Sequence, residues 1–284
     1  MSFDDFNAHR NTVSTASADL SYVSFGDGPV ALFVHGIGTN SLLWRNVMAL
    51  LPNRRCIAVD LPLHGHSPAR RDQDLSLGGL ADLLEEFCQA LGLTDVDLVA
   101  NDTGGAVAQI FAGRHPERLH TFTLTNCDTH DNVPPEAFLP TVELARAGQL
   151  APGAPDLLAD LAVARAAVFA MGYEDPDQPS LELVDAFLRP VIGTPERALQ
   201  FEHMLAIMGP DDLLAAEPAL EALTVPTLIV WGTGDTFFEL KWAYWLRDTI
   251  AGATEVVELD GARVFFPDER AADLLPHLER HWAR

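Results

Sequence analysis

Lysine is almost absent from this chain. Lys241 is the only one, and the basic residues number 18 against 41 acidic ones, a formal net charge of -23. A field of that sign repels nucleic acid and anionic membrane surfaces. Nucleic-acid and membrane partners are thereby disfavoured, which leaves a small-molecule substrate as the expected partner. Cysteine is scarce too: Cys56, Cys88 and Cys127 stand singly, in or beside apolar runs. An odd number without metal-ligand spacing reads as small buried hydrophobes in a reducing compartment rather than as a disulfide framework. His and carboxylate residues do not cluster at ligand spacing either, so no metal and no cofactor are expected. No apolar run is long enough to span a bilayer. The first residues, with Asp4, Asp5, His9 and Arg10, lack the basic-then-apolar plan of a signal peptide. The expectation is a cytoplasmic protein, monomer or homodimer.

What is present suits one large α/β domain with an insertion: 284 residues, 48% hydrophobic and 21% charged. The chain is organised around residues 97–109. Val96 to Ala100 reads as a buried strand, and from Gly104 a helical pattern places Ala106, Ile110 and Phe111 on one face. Between them lies a very sharp turn that displays Asp102, with the small residues Ala100 and Gly104 letting strand and helix cross. An ordinary helix-capping Asp is the plain alternative.

Strand-like runs at Leu20 to Phe25 and Val30 to Val34 flank the turn Gly26-Asp27-Gly28-Pro29, and the second leads into His35-Gly36-Ile37-Gly38. Residues 1–18 are polar and read as chain that is mobile or lies on the surface. Trp44 to Leu51 reads as an amphipathic helix ended by Pro52, and Leu75 to Leu91 as a helix packing on the sheet. The alternation of strand and helix implies a mostly parallel sheet with helices on both faces. Leu119 to Thr125 ends in the polar cluster Asn126-Cys127-Asp128-Thr129-His130-Asp131-Asn132, at the strand edge where open parallel sheets bind ligands. Residues 133–208 abandon the alternation for Pro-punctuated helical stretches. Phe138, Phe169, Met171, Tyr173, Phe187, Phe201, Met204 and Met208 are candidates to line a pocket there or to form the insertion's own core. Thr227 to Trp231, then Gly232-Thr233-Gly234-Asp235, resumes the sheet, and Glu255 to Leu259 is its last strand.

These motifs resemble the α/β-hydrolase superfamily. The turn at Asp102 is similar to the nucleophile elbow, usually G-x-S-x-G, and His35-Gly36-Ile37-Gly38 to the oxyanion loop. An Asp at the elbow resembles the haloalkane dehalogenase and epoxide hydrolase branch, in which the carboxylate attacks an alkyl carbon to form an ester. The resemblance implies an α/β-hydrolase fold with core residues 1–132 and 209–284 and a helical cap at 133–208. It implies an anion hole from the Ile37 and Thr103 amides, a structural His35, and Asp235 of G-x-x-D or Asp128 as supporting acid. Asn101, Asn126, Tyr173, His35 and Arg263 are the candidate substrate contacts.

The chain departs from the family's pattern in the loop after the last strand. Aligning Glu269-Arg270 with the usual E-R puts Val264 where the catalytic histidine belongs. That base normally activates the water that cleaves the ester and contributes ~10² to 10⁴-fold. His130 is the substitute suggested by position, with a polar loop histidine as the alternative. Arg263 would keep Asp102 ionised or bind an anion, unless it faces solvent. The Trp after the nucleophile and the donor after His-Gly, common in haloalkane dehalogenases, are Thr103 and Ile37 here. Tyr173 is the single tyrosine of the cap, where epoxide hydrolases usually have two. Three functions stay open: hydrolysis of an alkyl electrophile such as an epoxide, halide or ester-like compound through Asp102; a lyase, isomerase or cyclase using Asp102 for proton transfer; and ligand binding without catalysis.

Overall fold

A computed structural model describes residues 1–284. Eight strands form one sheet: β1 Arg10–Ser14, β2 Asp19–Phe25, β3 Val30–Val34, β4 Arg55–Val59, β5 Val96–Asp102, β6 Leu119–Cys127, β7 Thr227–Gly232 and β8 Ala253–Leu259. Their order is β1-β2-β4-β3-β5-β6-β7-β8. β1 and β2 run antiparallel, and β4 to β8 with β3 run parallel. The polar N-terminal stretch lies mostly at the surface, as expected, and within it form the helix Phe3–Asn7 and edge strand β1. β1 is recruited by pairing with β2, a long-range effect that a polar sequence does not announce.

All seven residues of β5 are buried, as a strand covered by helices on both faces must be. The covering helices are bounded by local signals. In Leu77–Leu91 the Ser76 side chain accepts from the Gly79 amide, and Gly92 ends the helix at φ 63°. Between β6 and β7 there is no strand. That stretch includes the helices Leu139–Arg146, Leu181–Ile192 and Pro195–Ala206, the last two started by Ser180 and Thr194. They lie over the C-terminal edge of β5 and β6 and share one continuous hydrophobic cluster with the sheet. No helix is long and apolar enough to cross a membrane. All three cysteines are free and buried, and burial pushes the Cys56 and Cys88 thiols up to about 12.

Candidate active site

The turn after β5 is as sharp as its spelling requires. Asp102 has φ 56° and ψ -138°, and the helix Thr103–Arg114 starts at the next residue. A non-glycine residue in this region is strained, and such strain persists only where the surroundings enforce it. Here three glycines let the chain close up. A Cβ on Gly104 would lie 2.2 Å from the His35 carbonyl oxygen, one on Gly105 2.3 Å from Cys127 Cβ, and one on Gly36 2.2 Å from Asp102 Oδ2. The His35–Gly38 loop thus rests directly on the Asp102 carboxyl.

That loop is braced from behind by two buried histidines. His35 Nε2 accepts from the Leu61 amide at 2.9 Å, and its Nδ1 meets the Gly36 carbonyl at 2.7 Å. His64 Nε2 accepts from the Gly38 amide at 3.1 Å, and its Nδ1 meets the Pro62 carbonyl. Accepting at Nε2 requires each ring to be neutral and protonated at Nδ1. Burial lowers both, His64 to about 3.

Asp102 faces a cavity of about 130 Å³ lined by 22 residues, 16 of them hydrophobic. An apolar cavity of about 150 Å³ accommodates benzene, so this one suits a small, mostly apolar molecule. From the core come Ile37, Gly38, Thr103, Asp128, Phe237, Phe238, Val264 and Phe265; Phe138, Phe169, Leu188, Phe201 and Met208 come from the helices above. Asp128 is 1% exposed, and its Oδ2 accepts from the Thr103 hydroxyl at 2.9 Å. Its Oδ1 is buried without a partner. Burial, followed by the neighbouring Asp128, raises Asp102 well above the ordinary carboxylate range, against the pull of the Thr103 amide and hydroxyl. Burial pushes Asp128 up to about 7, again opposed by the Thr103 hydroxyl. Both carboxyls stand on one mostly apolar cavity, with Thr103, the neighbour of Asp102, bonded to Asp128, an arrangement that disfavours two negative charges at once.

Asp235 lies behind the cavity wall. Its Oδ1 accepts from the Phe237 amide at 2.7 Å and its Oδ2 from Asn126 at 2.7 Å, which fixes the turn carrying Phe237 and Phe238. Burial pushes it up to about 7, against those amides, Asn126 and the Arg263 guanidinium. Of the two acids available in the sequence, Asp128 is the one on the cavity.

Several residues proposed from the sequence sit elsewhere. His130 does not line the cavity: its Nδ1 pairs with Glu217, and its ring stacks on Trp245 with centroids 4.8 Å apart. This corrects the expectation that it replaces the missing base. None of the five candidate substrate contacts lines the cavity either. His35 is scaffold, as described. Asn101 donates to the Val264 carbonyl and to Thr125, and Asn126 donates to the Gly232 carbonyl. The Tyr173 hydroxyl donates to Asp268 at 3.0 Å, and Arg263 reaches the Met171 carbonyl. Each is taken up by a polar partner within the protein, Asn101 by the backbone of the cavity residue Val264. Among the candidate lining residues, Phe138, Phe169, Phe201 and Met208 reach the cavity; Met171, Tyr173, Phe187 and Met204 do not. Sequence reasoning missed Phe237, Phe238 and Phe265. An aromatic pair directly after the Asp235 turn was the available signal. No histidine lines the cavity, and no group of three or more His, Cys, Asp or Glu side chains is placed to hold a metal ion.

Comparison with known proteins agrees with this architecture. A family model described as alpha/beta hydrolase fold matches residues 29–270. A haloalkane dehalogenase of Mesorhizobium japonicum is 39% identical over 112 residues, 39% of this chain and only 36% of that protein's length. The monoacylglycerol lipase abhd6-A of Xenopus laevis is 25% identical over 250 residues, 84% of this chain and 71% of that protein. Among solved structures, the haloalkane dehalogenase DatA of Agrobacterium tumefaciens C58 superposes with a TM-score of 0.80 at 21% identity, covering 96% of each chain. The epoxide hydrolase CorEH superposes with a TM-score of 0.77 at 19% identity, over 96% of this chain and 98% of that one. The two superpositions, at such identities, speak for the fold, and the matched relatives are hydrolases. The chain belongs to the α/β-hydrolase family, with haloalkane dehalogenases among its relatives.

Proposed function

We propose that this protein is an enzyme that opens a small, mostly apolar alkyl electrophile by nucleophilic attack of the Asp102 carboxylate. The observation that carries this reading is the placement of Asp102: a strained turn holds its carboxyl in the wall of a cavity that is otherwise almost wholly apolar. A carboxylate poorly solvated by such walls reacts readily with a carbon bearing a leaving group, and the product is an ester on Asp102. Amides of Ile37 and Thr103, two residues of the same wall, are suited to the oxyanion formed when water cleaves that ester. A pocket of this size and lining favours hydrocarbon skeletons up to about one ring.

The test is intact-protein mass spectrometry with product analysis after incubation with terminal epoxides, haloalkanes and activated esters. Conversion by the wild type, lost in Asp102→Asn, is expected. Conversion that survives Asp102→Asn would show that the chemistry lies elsewhere.

A second reading is favoured by the cavity's lack of histidine: Asp102 moves a proton and forms no ester, as in a lyase or isomerase. Many turnovers in ¹⁸O-labelled water separate the two, because the ester route passes an Asp102 oxygen to the product and replaces it from water. Label in the product after many turnovers supports hydrolysis, and product that stays unlabelled supports proton transfer.

A further inference from the structure

We infer that Asp128 is the proton carrier of this site and that the substrate class it fits is an epoxide: it protonates the opening ring and then, as carboxylate, activates the water that releases the product. The inference rests on the reading of Asp102 as nucleophile and deepens it.

Three features of the cavity lead to this assignment. Asp128 is the only titratable side chain besides Asp102 on the wall. The Thr103 hydroxyl fixes Oδ2 at 2.9 Å, while Oδ1 stays buried with no partner in the protein. A bare carboxylate oxygen so placed is costly, whereas a protonated one awaits an acceptor. Thr103 also adjoins Asp102 in sequence, so one side chain sets the position of the acid against the nucleophile. Finally, the wall holds no cation and no indole or amide side chain that would grip a departing halide. An epoxide expels no ion, because its oxygen stays on the product.

The proton balance closes without exchange with bulk water. Burial and the neighbouring Asp128 favour the proton on Asp102 at rest, so the reactive form is the one in which that proton has moved to Asp128, whose Oδ1 has no other partner, leaving Asp102 as the carboxylate. The Asp102 carboxylate forms a C–O bond to a ring carbon, the ring C–O bond breaks, and the new alkoxide takes the Asp128 proton. Asp128, now a carboxylate, takes a proton from water as the hydroxide adds to Cγ of the ester. Collapse of the tetrahedral intermediate expels the second alkoxide, which recovers that proton from Asp128. The diol leaves, the pair again holds one proton, and it moves from Asp102 back to Asp128.

The experiment compares wild type, Asp128→Asn, Asp128→Glu and Asp102→Asn on 1,2-epoxyhexane and on 1-chlorohexane, with thermal melts on each protein. Diol formation by the wild type is expected, with a fall of ~10² to 10⁴-fold in Asp128→Asn, partial recovery in Asp128→Glu, and little conversion of the chloride. The alkaline limb, the fall in epoxide rate as rising pH ionises Asp128, should vanish in Asp128→Asn. Wild-type epoxide turnover and pH profile retained in Asp128→Asn but lost in Asp102→Asn would overturn the role of Asp128 while sparing the nucleophile. Efficient hydrolysis of the chloride with the epoxide untouched would overturn the substrate class. If the wild type formed neither product nor adduct with either compound, both the inference and the reading beneath it would fall.

Discussion

Asn101 Nδ2 donates to the backbone carbonyl oxygen of Val264 at 2.9 Å. The residue before Asp102 therefore grips the loop that follows β8, the loop that closes the cavity with Val264 and Phe265. The same loop is held from the other side, where the Phe265 amide donates to the Gly172 carbonyl at 2.9 Å. Gly172 admits this contact because a Cβ there would lie 2.4 Å from the Phe265 ring.

Asn101→Ala should loosen this closure. It leaves the buried Val264 carbonyl without its donor, which costs about 1–3 kcal/mol. Denaturant unfolding measures that loss, and hydrogen exchange at the Phe265 amide should quicken by more than at the β5 amides. Equal change at both places would mean that the variant only weakens the fold.

Gly36→Ala should damage chemistry more than stability. The added Cβ would sit 2.2 Å from Asp102 Oδ2 and 2.3 Å from Asp102 Cβ, so the carboxyl must move. A displacement of about 1 Å at a reacting group costs on the order of 10²-fold in rate. Gly209→Ala is the control, since its Cβ meets nothing within 4 Å. Turnover of an epoxide by the two variants, with melting temperatures alongside, checks this. A Gly36→Ala enzyme as active as the Gly209→Ala one would sink the claim that the loop fixes Asp102.

The Asp128 carboxyl should also leave a mark on stability. Its folded value of about 7 lies above its ordinary value of 3.8, so the folded protein binds more protons than the unfolded chain between them. Its contribution is whole below about pH 4 and is lost as pH rises through about 7. The ceiling is on the order of 4 kcal/mol, taking ~1.4 kcal/mol per unit. Asp128→Asn should match the wild type in stability near pH 4 and exceed it at pH 8. Chemical denaturation at the two pH values decides; a variant less stable at pH 8 would contradict this electrostatic account.

Much of the site was legible as local chemistry. A strand of buried residues, a small residue on either side of Asp102 and a helix without delay leave the chain few other courses. His35-Gly36 likewise announces a strand that ends in a turn without side-chain bulk. The cavity wall was less legible. Phe138 and Phe169 reach it while Phe187 does not, although all three are apolar residues on helical stretches. Which face of such a helix meets the sheet depends on neighbours far along the chain.

The sequence by itself determined the sheet-and-helix alternation, the turn that displays Asp102 and the absence of a histidine at position 264, because these depend on residue size, periodicity and identity within short windows. Only the tertiary structure decided that Asp128 and not Asp235 stands on the cavity, that His130 is turned to Glu217 and Trp245, and that Asn101 serves as a clasp. Each of these depends on which polar group finds a partner across more than twenty residues of chain. A buried donor or acceptor takes whichever partner the packed elements bring within reach.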